Sequence, residues 1–247
     1  MPLASLWSCA WQGDKIGVSL GWGFLKKRIG SYELLPSPHC PRCSSLYVLQ
    51  TGDRVYCRNC ALLPRLDRIS AVGVYYPTNE SEQNLLSKHV RRLKRFKWYA
   101  GPLGQAMALA VQYKYVDLRN SDVLVPVPQH PEKHAARGYN QAEELAKVLS
   151  DKLGLPVADI LKKVKNESER GERIHDRLEK TREMYAFSGG SENVQGKKII
   201  LVDDIVTLGA TATACTKILK DQGAAVVEVL VAGRTFRPGV SASDIPW

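Results

Sequence analysis

Residues 199–211 read IILVDDIVTLGAT, and this stretch decides the fold. Four consecutive apolar residues at 199–202 are typical of a strand in a parallel sheet whose two faces are both covered. In such sheets, ligands bind outside the carboxyl ends of the strands. We therefore expect Asp203 and Asp204 to lie in a crevice where this strand ends.

The last five residues of the stretch have the composition of a phosphate-binding loop. Gly209 permits close backbone approach, and Thr207 and Thr211 offer hydroxyl groups. A helix that begins near Ala210 would direct free amide groups and the positive end of its dipole at an anion. Because carboxylates accept hydrogen bonds from sugar hydroxyls, the two neighbouring acids and this loop together fit a ribose 5-phosphate. The alternative is an ordinary strand, turn and helix whose acids are solvated.

The rest of the chain from about residue 70 alternates strand and helix patterns. The predicted strands are 71–76, 123–127, 198–203 and 225–232, and the predicted helices are 79–97, 103–113, 140–153 and 210–222. Asn140 followed by Glu143 is a helix-start signature, and Gly154 suits the end of that helix. This order predicts an α/β fold, a largely parallel sheet flanked by helices.

Four of the six cysteines form two CxxC pairs: Cys40, Cys43, Cys57 and Cys60. Thiolates at this spacing can close a tetrahedral zinc site, and a four-sulfur site leaves no open position for chemistry. We therefore expect a structural Zn²⁺ ion in a small ribbon at 36–64. Disulfide bonds are the alternative, which a reducing compartment disfavours. The remaining cysteines, Cys9 and Cys215, need no function.

Composition limits the class of protein. The chain has 247 residues, 44% of them hydrophobic, which suffices for one α/β core and a small appendage. Its apolar runs are far shorter than the ~20 residues that span a bilayer, so we expect no membrane span. Asp14 and Lys15 follow the apolar start closely and no charged leader precedes it, so we expect a cytoplasmic protein without a secretory signal. The net charge of +10 favours anionic partners.

The densest basic block lies at residues 88–98. Its members are Lys88, Arg91, Arg92, Lys94, Arg95 and Lys97, interleaved with Phe96 and Trp98. Apolar residues recur at helical spacing from Leu85 to Phe96, which predicts an amphipathic helix with a solvated basic face. The alternative is a nucleic-acid contact surface, on which aromatic side chains stack against bases.

The stretch at 199–211 resembles the phosphoribosyl pyrophosphate (PRPP) motif of type I phosphoribosyltransferases. The resemblance implies that Asp203 and Asp204 contact the ribose hydroxyls and that the 5-phosphate is held by Thr207, Leu208, Gly209, Ala210 and Thr211. The family usually carries a second threonine where this chain has Leu208. If that hydroxyl matters, its loss lowers affinity by about 0.5–1.5 kcal/mol.

Further motifs narrow the resemblance. A four-cysteine ribbon, a VPVP segment, an RGYNQAEELA segment and the LVDDIVTLGAT loop follow in that order, as in the ComF family of phosphoribosyltransferase-like proteins. The similarity covers roughly 36–236. It implies an extension of unknown role at 1–35, a zinc ribbon at 36–64 and a type I phosphoribosyltransferase-like domain at 65–247.

The resemblance implies a reaction in which a nitrogen nucleophile displaces pyrophosphate from C1 of PRPP. Arg137 would assist the pyrophosphate; the alternative is that Arg137 and Asn140 only organise the turn and cap the helix. Mg²⁺ would bridge pyrophosphate and ribose oxygens. The charged segment at 161–187, with Arg182 as one counterpart of the family pattern, resembles the mobile lid of these enzymes; the alternative is a solvated hairpin or helix.

No residue can be recognised from the sequence as the base that would activate an acceptor substrate, so two other functions stay open. ComF-like proteins are associated with DNA uptake, which implies single-stranded nucleic acid and competence proteins as partners. The fold alone cannot choose between a catalyst and a binding module. The third function is a regulatory protein that senses PRPP without turnover.

Overall fold

A computed structural model describes most of the chain from residue 66 onward and shorter pieces before it. The described residues are 8–9, 32, 34–35, 39–46, 49–51, 54–57, 60, 66–77, 84–165, 181, 183–189 and 194–236. Most of the predicted extension at 1–35 lies outside them, and so does the middle of the predicted lid, including Arg182.

In chain order, the strands and α-helices are β1 (Ser8–Cys9), β2 (Leu49–Thr51), β3 (Arg54–Tyr56), β4 (Arg68–Tyr75), α1 (Leu85–Leu93), α2 (Ala100–Tyr113), β5 (Val123–Pro126), α3 (Pro131–Arg137), α4 (Gln141–Leu153), β6 (Leu161–Lys163), β7 (Tyr185–Phe187), β8 (Lys198–Val206), α5 (Ala210–Asp221) and β9 (Val226–Thr235). Two short 3₁₀ turns, Lys97–Tyr99 and Val116–Asn120, precede and follow α2.

The central sheet has four parallel strands in the order β4-β9-β8-β5. In the β8–β9 pair, Lys198 lies opposite Val226 and Val206 lies opposite Arg234. Non-consecutive neighbours in this order require crossover connections, which α-helices supply. The predicted class, a parallel sheet flanked by helices, is confirmed.

Both faces of the sheet are covered, which explains the unbroken apolar run in β8. Ile199 and Leu201 pack on one side with α5, the β6–β7 hairpin and the cysteine cluster. Ile200 and Val202 pack on the other side with α1, α2 and α4. A strand with one polar face would alternate apolar and polar residues instead.

The ends of several elements differ from the sequence-based expectations. β8 continues through the two aspartates to Val206, because its partner β9 is also long, ending at Thr235. The basic helix is shorter than predicted: α1 begins after Asn84, whose side chain accepts a hydrogen bond from the Ser87 amide, and ends at Leu93. The expectation that Phe96 lies on its apolar face is wrong, since Phe96 follows the helix end and is 42% exposed.

The predicted ends of α4 are confirmed. Asn140 accepts a hydrogen bond from the Ala142 amide (3.1 Å), and Gly154 takes the left-handed conformation with φ 72°. Glu143 is an acidic residue in the first turn of this helix, and it forms an ion pair with Lys147 one turn later. The ordinary capping rules therefore fix this helix locally.

Among the described residues, no helix combines the length and the apolar character that a membrane-spanning segment needs.

Two glycines of α2 allow a matched test of helix packing. A Cβ added at Gly104 would lie 2.7 Å from Val148 of α4, whereas a Cβ added at Gly101 would meet nothing within 4 Å. We expect Gly104→Ala to lower the free energy of unfolding by about 1–2 kcal/mol through overpacking. Gly101→Ala should leave it unchanged or raise it by up to about 1 kcal/mol. Urea unfolding of both variants measures this.

The double variant Gly104→Ala/Val148→Ala should recover part of that loss, because the smaller side chain makes room for the new methyl group. Equal stability of the two glycine variants would contradict the close approach of α2 and α4.

Candidate functional site

The two neighbouring carboxylates lie near the carboxyl end of β8, beside a cavity of about 300 Å³. Asp203 lines this cavity and accepts a hydrogen bond from the Asp204 amide (2.8 Å). Asp204 accepts one from the Ile205 amide (2.8 Å), but it is only 9% exposed and is not among the lining residues. Asp203 therefore lines the cavity, whereas the Asp204 side chain is buried outside its lining.

The loop between β8 and α5 forms the rest of the cavity. The lining residues include Thr207, Leu208, Gly209, Ala210 and Thr211. Gly209 has φ 89°, a conformation that favours glycine, and it places the first turn of α5 at the cavity. In the described part of the chain no side chain caps α5, so its first amides face a space that an anion can enter.

Two contacts made by threonine hydroxyls hold the loop in place. The Thr213 hydroxyl donates to the Gly209 carbonyl (2.9 Å), and the Thr207 and Thr235 hydroxyls lie 3.0 Å apart. Thr235 ends β9, so this contact joins the loop to the neighbouring strand. The cavity is therefore built on two central strands of the sheet.

The electrostatics of the site centre on Asp203. Burial raises the pKa of Asp203 well above its usual range, and the negative charge of Asp204 raises it further. The Asp204 amide and the charge of Lys94 act in the opposite direction. A ligand that donates hydrogen bonds to the Asp203 carboxylate, or that brings a cation, would stabilise its charged form.

The β6–β7 hairpin adds two residues that sequence reasoning did not assign to this site. Burial lowers the pKa of Lys163, while the charge of Asp203 opposes that change. The Lys163 ammonium lies 5.2 Å from the centre of the Tyr185 ring. Burial raises the pKa of the Tyr185 hydroxyl, and the Thr211 side chain acts in the opposite direction. No local pattern reveals these neighbours, because the hairpin and the loop are distant in sequence.

The segment after β5 forms a second cavity of about 210 Å³. Asn140 and Lys163 line it, and the Asn140 side chain donates to the Val127 carbonyl (2.9 Å). Arg137 ends α3 and donates to the Gln141 side chain. Arg137 lines neither of the two cavities, so its predicted contact with pyrophosphate stays a prediction.

The four cysteines predicted to bind zinc come together in the structure. Their sulfur atoms all lie within 4.8 Å of one another, with 3.3 Å between Cys40 and Cys60 and 3.6 Å between Cys43 and Cys57. Tetrahedral zinc with bonds of about 2.3 Å separates its sulfur ligands by about 3.8 Å. These distances are too long for disulfides, and all four thiols are free and buried. The donor set fits a closed zinc site.

Hydrogen bonds within the cluster shift the pKa values of its thiols in opposite directions. Bonds from Cys40, Cys57 and Cys60 lower the pKa of Cys43, and the charge of Arg234 lowers it further. Hydrogen bonding to Cys40, together with the other two thiols, raises the pKa of Cys60. Without a cation, the cluster therefore cannot hold four thiolates at neutral pH.

Backbone contacts dock the cysteine cluster on the start of β4. Arg42 donates to the Leu66 carbonyl from two nitrogens (2.7 and 3.1 Å), and its own carbonyl accepts from the Ile69 amide (2.7 Å). The Ser44 hydroxyl donates to the Ile69 carbonyl (2.6 Å). The cluster is thus fixed to the central sheet.

Part of the basic block at 88–98 forms an exposed ridge after α1, made of residues 94–98. Phe96 and Trp98 are stacked, with ring centres 4.7 Å apart, and Trp98 is 66% exposed. Lys94, Arg95 and Lys97 are exposed beside them. Tyr139, in the loop before α4, donates to the Leu93 carbonyl and ties this ridge to the carboxyl edge of the sheet.

Comparison with known proteins identifies a domain within the chain. Residues 135–235 match the family described as "Phosphoribosyl transferase domain", and this range contains Asp203, Asp204 and the loop that follows.

Curated relatives cover more of the chain. Competence protein F of Haemophilus influenzae is 27% identical over 199 residues, which cover 78% of this chain and 82% of that protein. DNA utilization protein YhgH of Escherichia coli is 28% identical over 202 residues, covering 80% of this chain and 84% of that protein.

Solved structures that resemble the chain include a purine phosphoribosyltransferase from Pyrococcus horikoshii. The TM-score is 0.37 at 15% identity, over 56% of this chain and 73% of that one. The matched domain, the similarity to competence proteins and the four-cysteine cluster agree with one another. Over most of its length the chain is therefore similar to proteins named for competence and DNA utilization, and its residues 135–235 match a phosphoribosyl transferase domain.

Proposed function

We propose that the chain binds PRPP at the carboxyl end of β8 and transfers its phosphoribosyl group to a nitrogen acceptor, releasing pyrophosphate. The observation that carries this proposal is the cavity between Asp203 and the uncapped first turn of α5. One side offers a hydrogen-bond acceptor for a diol, and the other offers amides for a phosphate. The matched phosphoribosyl transferase domain supports the same ligand.

Each group has a physical task in this proposal. Asp203, oriented by the hydrogen bond from the Asp204 amide, accepts from the ribose hydroxyls, and the loop at 207–211 binds the 5-phosphate. Leu208 lacks a hydroxyl, so it contributes its backbone amide. Mg²⁺ would enter with PRPP and neutralise pyrophosphate oxygens. Arg137 would reach the pyrophosphate only after leaving Gln141.

The β6–β7 hairpin would exclude water from the sugar. Lys163 and Tyr185 already lie beside Asp203 and Thr211, so the hairpin stands at the edge of the phosphate cavity. Water that reaches C1 would hydrolyse PRPP in place of the acceptor. The predicted lid at 161–187 would serve this purpose when the ligand is bound.

A thermal-shift experiment with PRPP and Mg²⁺ tests the proposal. At a ligand concentration 100 times the dissociation constant, binding should raise the free energy of unfolding by about 2.7 kcal/mol. The double variant Asp203→Asn/Asp204→Asn should lose this gain, and Asp151→Asn, an exposed change on α4, should keep it. No shift with the unmodified protein would overturn PRPP binding, and pyrophosphate release with an acceptor would separate a transferase from a sensor.

The same double variant should be more stable than the unmodified protein when no ligand is present. Because the pKa of Asp203 is raised, the folded state binds this proton more tightly than the unfolded chain does. Stability is then lost as pH rises above the ordinary aspartate pKa of about 4. The advantage of the variant should therefore grow from pH 4 towards pH 7, while asparagine keeps the two backbone hydrogen bonds.

We also propose that one structural Zn²⁺ ion occupies the four-cysteine cluster. All four ligands are sulfur and all are buried, so the ion would hold the N-terminal module together and take no part in the reaction. A reducing compartment such as the cytoplasm, where we place the protein, would keep these thiols free.

Metal analysis and chelation test this assignment. The purified protein should contain one zinc ion per chain, and a strong chelator should lower the melting temperature. Cys43→Ser should abolish zinc binding, whereas Cys215→Ser, a buried change in α5, should leave the zinc content unchanged. A metal-free protein with unaltered stability would contradict the site.

A second candidate function is favoured by the basic ridge at 94–98: binding of single-stranded nucleic acid. Bases stack on exposed aromatic rings at about 1–3 kcal/mol each, and the Phe96–Trp98 pair presents such a surface. Lys94, Arg95 and Lys97 would contact phosphates. The relatives named as competence and DNA utilization proteins agree with this function. Arg91, by contrast, donates to the Tyr76 carbonyl and supports β4.

Binding of a labelled DNA single strand at several salt concentrations tests the ridge. Trp98→Ala should weaken binding by about 1–3 kcal/mol. The triple change of Lys94, Arg95 and Lys97 to alanine should reduce the salt slope by about 2. A control triple at exposed positions elsewhere, Arg119, Lys152 and Lys198, removes the same charge. Equal loss in both triples would show that net charge, and not the ridge, determines binding.

A further inference from the structure

Three described residues near the end of the predicted extension form what we call the N-terminal strap: Tyr32, Leu34 and Leu35. The Leu35 amide donates to the Val72 carbonyl (3.3 Å), and Leu34 forms an antiparallel bridge with Gly73. Both partners belong to β4, which is the outer strand on its side of the central sheet. The strap is therefore fixed to the edge of the sheet.

Tyr32 extends from the strap to α1. Its hydroxyl lies 2.6 Å from Nδ1 of His89, and the two rings meet edge-on with their centres 5.5 Å apart. Burial raises the pKa of Tyr32 to about 12, whereas burial and then the charge of Arg92 lower the pKa of His89. At neutral pH the tyrosine keeps its proton and the imidazole is neutral, so the hydroxyl donates and Nδ1 accepts. This bond joins the sheet edge to the middle of α1.

His89 in turn supports the basic ridge. Its ring contacts the ring of Tyr99, with centres 5.1 Å apart, and Tyr99 directly follows the ridge. Arg92 donates to the Tyr99 hydroxyl (3.0 Å), and the Tyr99 amide donates to the Phe96 carbonyl (3.2 Å). The Tyr99 ring lies 6.3 Å from the ring of Trp98. Tyr99 therefore connects α1 to the turn that presents the stacked aromatic pair.

The helix before the ridge cannot hold it in place by itself. α1 has nine residues, and isolated helices shorter than about 12–15 residues are marginal in water. The ridge begins directly after Leu93, the last residue of α1, and both of its aromatic rings are exposed. Side chains that become ordered only when a ligand binds reduce the affinity, because ordering costs conformational entropy. Contacts that fix the ridge in advance avoid this loss.

We propose that the N-terminal strap is a positioning element of the ridge: Tyr32, acting through His89 and Tyr99, holds the stacked aromatic pair in the form that receives bases. The inference rests on the proposed binding of single-stranded nucleic acid, and it extends that function to a part of the chain without an assigned role. Tyr32 is buried, so it acts through its neighbours and does not itself contact the nucleic acid.

Binding of a labelled DNA single strand to the full chain tests this role. Tyr32→Phe removes only the hydroxyl and should weaken binding by about 2–10-fold, because the ridge is then ordered on binding. His89→Leu breaks the same bond from α1 and should weaken binding at least as much. The matched control is Tyr115→Phe. The buried Tyr115 hydroxyl donates to the Ala71 carbonyl of β4 (2.6 Å), so this variant should keep the affinity of the unmodified protein.

A double-variant cycle separates positioning from general stability. In the Trp98→Ala background, Tyr32→Phe should change the affinity by less than about twofold, because the stacked pair that Tyr32 positions is already lost. Additive losses in the double variant would overturn the proposal. An equal loss of affinity in Tyr32→Phe and Tyr115→Phe would also overturn it, since reduced stability would then explain both. Urea unfolding should show that both variants remain folded, because each loses one hydrogen bond.

Failure of this inference is distinguishable from failure of the ridge. If the unmodified protein binds no single strand, the proposed binding and the role of the strap are overturned together. If Tyr32→Phe binds as tightly as the unmodified protein while Trp98→Ala binds more weakly, the role of the strap alone is overturned and the ridge stands.

Discussion

The parallel pairing of β8 with β9 is the interaction on which the rest of the structure depends. It runs from Lys198 opposite Val226 to Val206 opposite Arg234, and both strands are buried on both faces. Each fully buried aliphatic side chain in these strands contributes about 1.5–3 kcal/mol. This pairing fixes where the backbone turns into the loop at 207–211, because that loop begins where the paired residues end.

The site at the end of this ladder concentrates charge that the fold alone does not satisfy. The negative charge of Asp204 repels that of Asp203, and burial penalises the charge of Asp203 as well. Lys94 and Lys163, which arrive from distant parts of the chain, partly offset that repulsion. Binding sites are where a protein tolerates such unfavourable placement. The same unfavourable placement leaves the Asp203 carboxylate able to accept hydrogen bonds from a bound group.

The sequence predicted the features that depend on local rules. The buried run at 199–202, the caps of α4 and the CxxC pairs follow from strand burial, turn chemistry and ligand spacing, and each appears in the structure. It could not predict features that depend on distant partners. Phe96 is exposed because α1 ends at Leu93, and Lys163 reaches Asp203 only because β6 pairs with β7. Whether Arg137 contacts pyrophosphate depends on where a bound ligand lies, so this contact stays a prediction.

The end of β9 and the cysteine cluster support the same part of the sheet. The hydroxyl of Thr235, the last residue of β9, meets that of Thr207 in the loop at 207–211, and the cysteine cluster packs in one core with residues of β8 and β9. The ribbon is consequently not a detachable module, because a chain trimmed of it would expose to water the apolar face of the strands that carry this loop.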